Sequence, residues 1–493
     1  MGDLVQKPQL TVEELLKCTE LMEAIARDQT LLSPFSTEQR IRLLIAAGRV
    51  VRPARHEITP RIKAHRKAER AKRRHQDHLV RASTQIRMAR LDSVFIPPLR
   101  ISDASQPGEE TGARLQKPRA CYICKDEFSR LHFFYDALCG PCAALNYEKR
   151  FQSASLTGQV ALITGARLKI GYQAALMMLR AGARVIVTTR FPRDAAIRYA
   201  REPDFEAWRT RLSIHALDLR HTPSVEYFSK YIETNEGRLD ILINNAAQTV
   251  RRPPGFYSHL METEQVPLAE LPRAIRDLVT ERKRESVNAP IGITASALLS
   301  QISYSHDFHA EGPNLFPPGK LDADLQQVDH RSVNSWRLGL ADVPTSELLE
   351  VQLVNSIAPF VLCSKLIPLM MRDRTDRKHI VNVSAVEGQF SRHTKTDKHP
   401  HTNMAKAALN MLTLTSARDY AKSCIFMNAV DTGWVTDEDP AILAARKQAD
   451  HDFQPPLDIV DGAARICDPF FSGMITGKHT WGCFLKDYFA AEW

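Results

Sequence analysis

Three sets of residues in this chain have the types and spacing to do chemistry. The first is four thiols, Cys121-x-x-Cys124 and Cys139-x-x-Cys142, with 14 residues between the pairs. Such pairs can close a tetrahedral shell of thiolates around one zinc ion; a closed shell leaves no position for a reactive water, so the expected role is structural. The other five cysteines (Cys18, Cys363, Cys424, Cys467, Cys483) are scattered. The second set is a glycine-bearing turn, Thr164-Gly-Ala-Arg-Leu-Lys-Ile-Gly171. Backbone N–H groups there can approach a pyrophosphate at a helix N-terminus, where the helix dipole favours an anion. The third is Lys398-His-Pro-His-Thr402, followed four residues later by Lys406. It places imidazoles that titrate near neutrality beside an aliphatic hydroxyl and an ammonium.

The elements that must position these groups are legible from periodicity. Apolar strands are expected at Val160–Ile163, Arg184–Thr188, Ile214–Leu219, Leu239–Asn244, His379–Ser384 and Ile425–Val430, alternating with helices such as Tyr172–Arg180. That alternation predicts an α/β fold, a Rossmann-type doubly wound parallel sheet, over residues 156–490. The sheet is preceded by a small zinc-binding knuckle at 119–150 and by a helical, basic amino-terminal module with its linker at 1–118. In that module a capping box, Thr11-Val-Glu-Glu14, opens a helix over Val12–Arg27. A second helix is expected over Thr37–Ala47 with Gly48 as its stop, a third over Arg61–Arg90, and a linker from Pro97 to Pro118.

Charge separates the module from the rest. Residues 52–90 carry 13 Lys and Arg against three acids, a net +10, whereas the whole 493-residue chain is +9. The remainder therefore sums to −1, and the basic segment suits a phosphate-bearing partner, a nuclear import signal or a solvated helix. No run approaches about 18 uninterrupted apolar residues and no secretory leader opens the chain, so the expected compartment is the cytoplasm, or the nucleus through residues 61–74.

Taken in order, these landmarks resemble the short-chain dehydrogenase/reductase family over about Gly158 to Lys486. The family's glycine turn is matched by Thr164, Gly165 and Gly171, and its adenine-pocket acid by Asp218. Its strand end is matched by Asn244-Asn-Ala-Ala247, its helix asparagine by Asn355, its later strand by Ile380–Ser384, and its lysine by Lys406. The resemblance implies a dinucleotide held by Gly165, Arg167, Lys169, Ile170 and Gly171 in the turn, by Asp218, Leu219, Asn245 and Ala246 at later strand ends, and by Lys406. It implies a catalytic set of Asn355, Thr402 and Lys406, and assembly into homo-oligomers. In dinucleotide folds an acid after the second strand holds a ribose 2′-hydroxyl, whereas an arginine accommodates a 2′-phosphate. Here Thr188-Thr-Arg190-Phe-Pro-Arg193 has no acid before Asp194, which favours NADP(H) through Arg190.

The departures from the family pattern fall where chemistry occurs. Lys169 replaces the turn's middle glycine, Ala385 stands three residues before Gly388 where the family has its serine, and Thr402 stands where it has its tyrosine. Ser384 neighbours the serine position, but strand alternation turns it to the other face. A threonine hydroxyl is a far weaker acid than a phenol of pKa about 10, so a proton would have to come from His399 or His401. The interval between Ala247 and Asn355 holds 107 residues, an insertion at about 250–345 with a helix expected over Leu268–Arg284 and a Pro/Gly stretch at Gly312–Lys320. Two functions fit: an atypical NADP-dependent oxidoreductase acting on a carbonyl or alcohol, or an NADP(H)-binding scaffold or sensor that engages a protein partner through residues 1–150.

Overall fold

The computed structural model describes residues 10–52, 55–92, 94–98, 110–280, 289–303, 314–392 and 394–493. Much of the expected linker, the end of the helix expected at 268–284 and the first residues of the Gly312–Lys320 stretch lie outside the described residues. Two compact units divide the chain, residues 1–76 and 77–493.

In the first unit α1 (Val12–Arg27) and α2 (Thr37–Val51) both open on capping boxes, Thr11 with Glu14 and Ser36 with Gln39, and neither buries a residue. The structure corrects the stop expected at Gly48. A single glycine costs only about 1 kcal/mol inside a helix, and α2 runs through it until Arg52, which precedes Pro53 and turns to φ −125°, ψ 73°. The basic helix α3 spans Arg55–Ala82 rather than reaching Arg90. Ser83 and Thr84 end it by donating their hydroxyls to the carbonyls of Val80 and Arg81, the local bonding with which such residues compete against helix.

In the second unit the hairpin β1 (Glu110–Ala120) and β2 (Glu127–His132) precedes α4 (Gly140–Lys149), so the boundary expected at 118/119 falls inside a strand. Then follow β3 (Val160–Thr164), α5 (Lys169–Arg180), β4 (Arg184–Thr189), α6 (Pro192–Ala200), β5 (Leu212–Ala216) and β6 (Ile241–Asn244). After the insertion come α7 (Ala358–Met370), β7 (Lys378–Ser384), α8 (Pro400–Ala421), β8 (Ile425–Asp431), α9 (Ile459–Thr476), β9 (Phe484–Lys486) and β10 (Phe489–Ala491). The strands form one sheet in the order β10-β9-β8-β7-β6-β3-β4-β5, parallel except for β10. β3, β6 and β7 are buried at every residue, as a sheet covered by helices on both faces requires. The chain reverses direction across the sheet between β3 and β6, and this switch point is where open α/β sheets leave a crevice.

The helix expected over Leu268–Arg284 does not form. Pro272 divides it into a 3₁₀ turn, Leu268–Glu270, and a single turn, Arg273–Arg276, after which Val279 bridges to Ile214. The insertion's principal helix is instead Pro254–Gln265, opened by proline in its first turn. The continuous helical stretch Thr345–Met370 is long and apolar enough to cross a membrane by length and composition, yet 56% of its apolar window is buried inside the fold, as in a core helix.

Candidate functional site

A cavity of about 360 Å³ lies at the switch point, and the glycine turn forms its floor. Gly165 adopts φ +67°, and a Cβ there would lie 2.8 Å from Ala246; a Cβ on Gly171 would lie 2.3 Å from the Asn245 amide nitrogen. Asn245 donates its side-chain amide to the carbonyls of Thr164 and Gly165, both at 3.0 Å, while the backbone N–H groups of Asn245 and Ala246 donate to the Thr164 hydroxyl. The strand end of β6 thus fastens the turn rather than presenting its amide to a ligand. Lys169, where the family has a glycine, adopts the left-handed backbone that favours glycine, at φ +55°. Its ammonium lies 3.6 Å from Asp324 of the insertion. Burial opposes that charge, but Asp324, Glu438 and Asp322 outweigh it and hold the lysine above its ordinary pKa.

Gly165, Arg167, Lys169, Ile170, Gly171, Arg190, Asp218, Leu219, Asn245 and Ala246 all line this cavity. Several are engaged differently from the expectation. β5 ends at Ala216, so Asp218 lies beyond the strand and is only 1% exposed; its carboxylate accepts from Arg220 at 2.7 Å. Burial would raise its pKa, but the Arg220 hydrogen bonds and charge hold it below the usual carboxylate range. Arg167 pairs with Asp194 at 2.7 Å, and Arg220 also reaches Glu350 at 2.9 Å. Arg190 is held by a neutral partner: its guanidinium donates to the Tyr257 phenol at 2.7 Å and lies 4.6 Å from that ring's centroid. Tyr257, Arg252 and Arg220 complete the lining, with Arg252 paired to Asp329. Sequence reasoning missed them: two belong to the insertion, and no motif spacing marks any of the three.

Asn355, Thr402 and Lys406 are not among the residues that line the cavity, although Val354 and Gln248, beside Asn355, are. Asn355 sits in a π-helical turn, Leu353–Ile357, a distortion that recurs at functional sites. Its amide oxygen accepts from the Gln248 N–H at 2.7 Å and its nitrogen donates to the Gln248 carbonyl, so it ties α7 to the loop after β6. Lys406 donates to the Val383 carbonyl at 2.8 Å; burial brings its pKa down to about 8 against the charges of Glu387 and Asp431. Thr402 is 2% exposed and its hydroxyl has no partner. Ser384 donates to Asn410 at 2.5 Å, on the face away from Ala385.

The end of the insertion covers this region. Trp336 stacks on His399, with ring centroids 3.8 Å apart and planes 5° from parallel. The His399 N–H donates to the Leu338 carbonyl, the Arg251 N–H donates to the Ser335 hydroxyl, and the Asn334 amide donates to the Glu438 carbonyl. Burial lowers the His399 pKa. His401 is buried with its Nε2 3.4 Å from Glu347, too poorly aligned for a hydrogen bond. Cys121, Cys124, Cys139 and Cys142 form a separate cluster, their sulfurs all within 4.8 Å of one another.

Two family profiles match in tandem: one described as short chain dehydrogenase over residues 159–266, the other as enoyl-(acyl carrier protein) reductase over 332–454. The chain belongs to the short-chain dehydrogenase/reductase family. The stretch between the two matches lies within the insertion. An uncharacterised protein of Acanthamoeba polyphaga mimivirus is 32% identical over 369 residues, covering 72% of this chain and 71% of that protein. Mouse retinol dehydrogenase 11 is 28% identical over 171 residues, 34% of this chain and 52% of that one, so about half of that relative's length is spanned. Among solved structures, an NADPH-bound carbonyl reductase from chicken fatty liver is 16% identical with a TM-score of 0.42, covering 68% of this chain and 99% of that one.

Proposed function

We propose that this short-chain dehydrogenase/reductase binds NADP(H) in the cavity at the switch point and acts as an atypical oxidoreductase on a carbonyl or alcohol. The observation that carries the reading is the placement of Arg190 in the cavity lining, where its partner is a phenol rather than a carboxylate. Asp194, the first acid after β4, is already bound to Arg167 and Arg198 at 2.7 Å each. It is therefore not available to a ribose 2′-hydroxyl, while Arg190, held by a phenol and a ring, can pair with a 2′-phosphate.

Bound there, the dinucleotide supplies or accepts a hydride. The chain's own residues would do the rest. The turn's N–H groups and the start of α5 hold the pyrophosphate, Asn355 fixes the Gln248 loop, and Lys406 keeps an ammonium behind β7. Thr402 can donate a hydrogen bond to a carbonyl but is a poor acid, which leaves His399 and His401, at the start of α8, as candidate donors. The second reading, a dinucleotide-binding scaffold or sensor, has its own support, because Asn355, Thr402 and Lys406 are all buried. Fluorescence titration with NADPH and NADH, followed by NADPH turnover on a panel of carbonyl compounds, tests both. Tight NADPH binding without turnover favours the scaffold, and no binding of either dinucleotide refutes both.

The four thiols support one structural Zn²⁺ per chain. The Cys139 N–H also donates to the Cys121 sulfur at 3.4 Å, the N–H to thiolate contact typical of such shells. Metal analysis of chain purified without chelator checks it. We also propose a homo-oligomer, a protein or nucleic-acid partner for the basic segment, and a cytoplasmic or nuclear location; none of these enters the chemistry.

A further inference from the structure

We propose that the knuckle's metal and the dinucleotide bind cooperatively, because the knuckle buttresses two walls of the cavity; this rests on the dinucleotide reading above.

One wall is the segment after β8. The Trp434 N–H donates to the phenol oxygen of Tyr122 at 2.9 Å, and Tyr122 lies between Cys121 and Cys124 with its own N–H on the Ala137 carbonyl. The turn is pressed against the knuckle: Gly433 has φ +76°, and a Cβ there would fall 2.6 Å from Leu457 and 3.5 Å from the Tyr122 oxygen. Two and four residues after Trp434, Thr436 and Glu438 line the cavity. The other wall is the glycine turn. Cys121 and Cys139 share one buried cluster with Val435, Leu457, Ile459 and Val460, and Ile170 packs against that cluster while also lining the cavity. The start of α9 fits between the walls, since a Cβ on Gly462 would lie 2.9 Å from Ile170 and 3.2 Å from Val435.

A thiolate-bound ion contributes its binding energy to the folding of the segment that holds it. Releasing the metal frees the Cys121–Cys124 loop, and with it the acceptor that fixes the Trp434 backbone. α4 stays attached through Arg150, which pairs with Asp458 at 2.6 Å and Asp461 at 2.9 Å, so the expected consequence is a loosened wall rather than a detached knuckle. The dinucleotide then meets a cavity whose competent form is less populated, and its affinity falls in proportion. Because coupling is reciprocal, the dinucleotide must hold the metal by the same factor.

The test uses the full chain. NADPH affinity is measured by fluorescence for metal-replete protein, for protein stripped with an organomercurial and chelator under reducing conditions, and for metal-replete Tyr122→Phe. In parallel, metal affinity is measured by equilibrium competition with a colorimetric chelator, with and without saturating NADPH. The expected results are roughly tenfold weaker NADPH binding after stripping, a severalfold loss in Tyr122→Phe at full metal content, and roughly tenfold tighter metal binding with NADPH bound. Equal NADPH affinity in all three forms overturns the coupling, as does a metal affinity that NADPH does not change. Tyr122→Phe keeps the test decisive should the stripped chain unfold. Metal-replete wild-type chain that binds no NADPH overturns the dinucleotide reading itself, and this is seen before any variant is compared.

Discussion

The two ends of the ligand-binding region differ in how much of the family's design they keep. At the nucleotide end the glycine turn is tightly packed and includes a left-handed backbone at Lys169 that a lysine adopts only at some cost. At the catalytic end the fold is kept but two side chains are not: Ala385 and Thr402 replace serine and tyrosine, and the insertion's Trp336 stacks on His399. Such a contrast indicates that binding a dinucleotide and transforming a substrate place separable demands on the chain. Substitutions that act at one end only can break it or sharpen it.

The largest effect is expected from Gly171→Ala. Its Cβ would stand 2.3 Å from the Asn245 nitrogen and 2.6 Å from the Gly165 carbonyl oxygen, both rigidly placed. Overpacking of this kind costs about 3 kcal/mol at the upper end of its range, enough to weaken NADPH binding by about a hundredfold. Retention of wild-type affinity would show that the turn is not the floor of the site.

Next is Lys406→Met, which probes the catalytic end through pH. The folded pKa of about 8 lies below the ordinary 10.5, so between those values the unfolded chain binds a proton that the folded chain has shed. Stability of the wild type should therefore rise with pH across that window by up to about 3 kcal/mol, and the variant should lack the rise. Thermal melts of both proteins without ligand from pH 7 to 10 check it; parallel curves would remove Lys406 as a buried, strained charge.

Arg190→Ala should weaken NADPH by about tenfold to a hundredfold, the value of one charge-assisted contact, and leave NADH unchanged. Equal loss for both dinucleotides would mean that Arg190 supports Tyr257 and the insertion rather than reading a phosphate.

The contrast also separates what the sequence made legible from what it did not. Strand runs and the glycine turn could be read because burial on both faces imposes continuous apolar residues, and because only small residues fit against Asn245 and Ala246. The thiol spacing was likewise legible, since it brings four sulfurs within 4.8 Å of one another. The insertion was not. Its ties to the site are made by Trp336, Asn334, Ser335 and Tyr257, residues brought close by long-range packing with no local period. The pairing of Asp218 with Arg220 was hidden for a related reason: a motif match locates a residue along the chain, but its partner is decided by which cation lies within reach. The failed helix at 268–284 shows the limit of charge patterning when Pro272 interrupts it.

The smallest effect is expected from Thr402→Tyr, and its smallness is informative. Were the site a carbonyl reductase that had lost only its proton donor, restoring the phenol should raise NADPH turnover on generic carbonyls, with each 1.4 kcal/mol of barrier giving about tenfold. We expect no rise. The Thr402 hydroxyl is fully enclosed and unpartnered, so a ring at that position must displace neighbours. Ala385 offers no hydroxyl to orient a carbonyl, and Trp336 would still stack on His399, three residues before Thr402. Combining Thr402→Tyr with Trp336→Ala separates these causes. If turnover stays absent in both the single and the double variant while NADPH affinity is kept, the catalytic end has been rebuilt for another task. If it appears only in the double variant, the insertion was the barrier. A single Thr402→Tyr change that yields an ordinary reductase would show that the two ends never diverged.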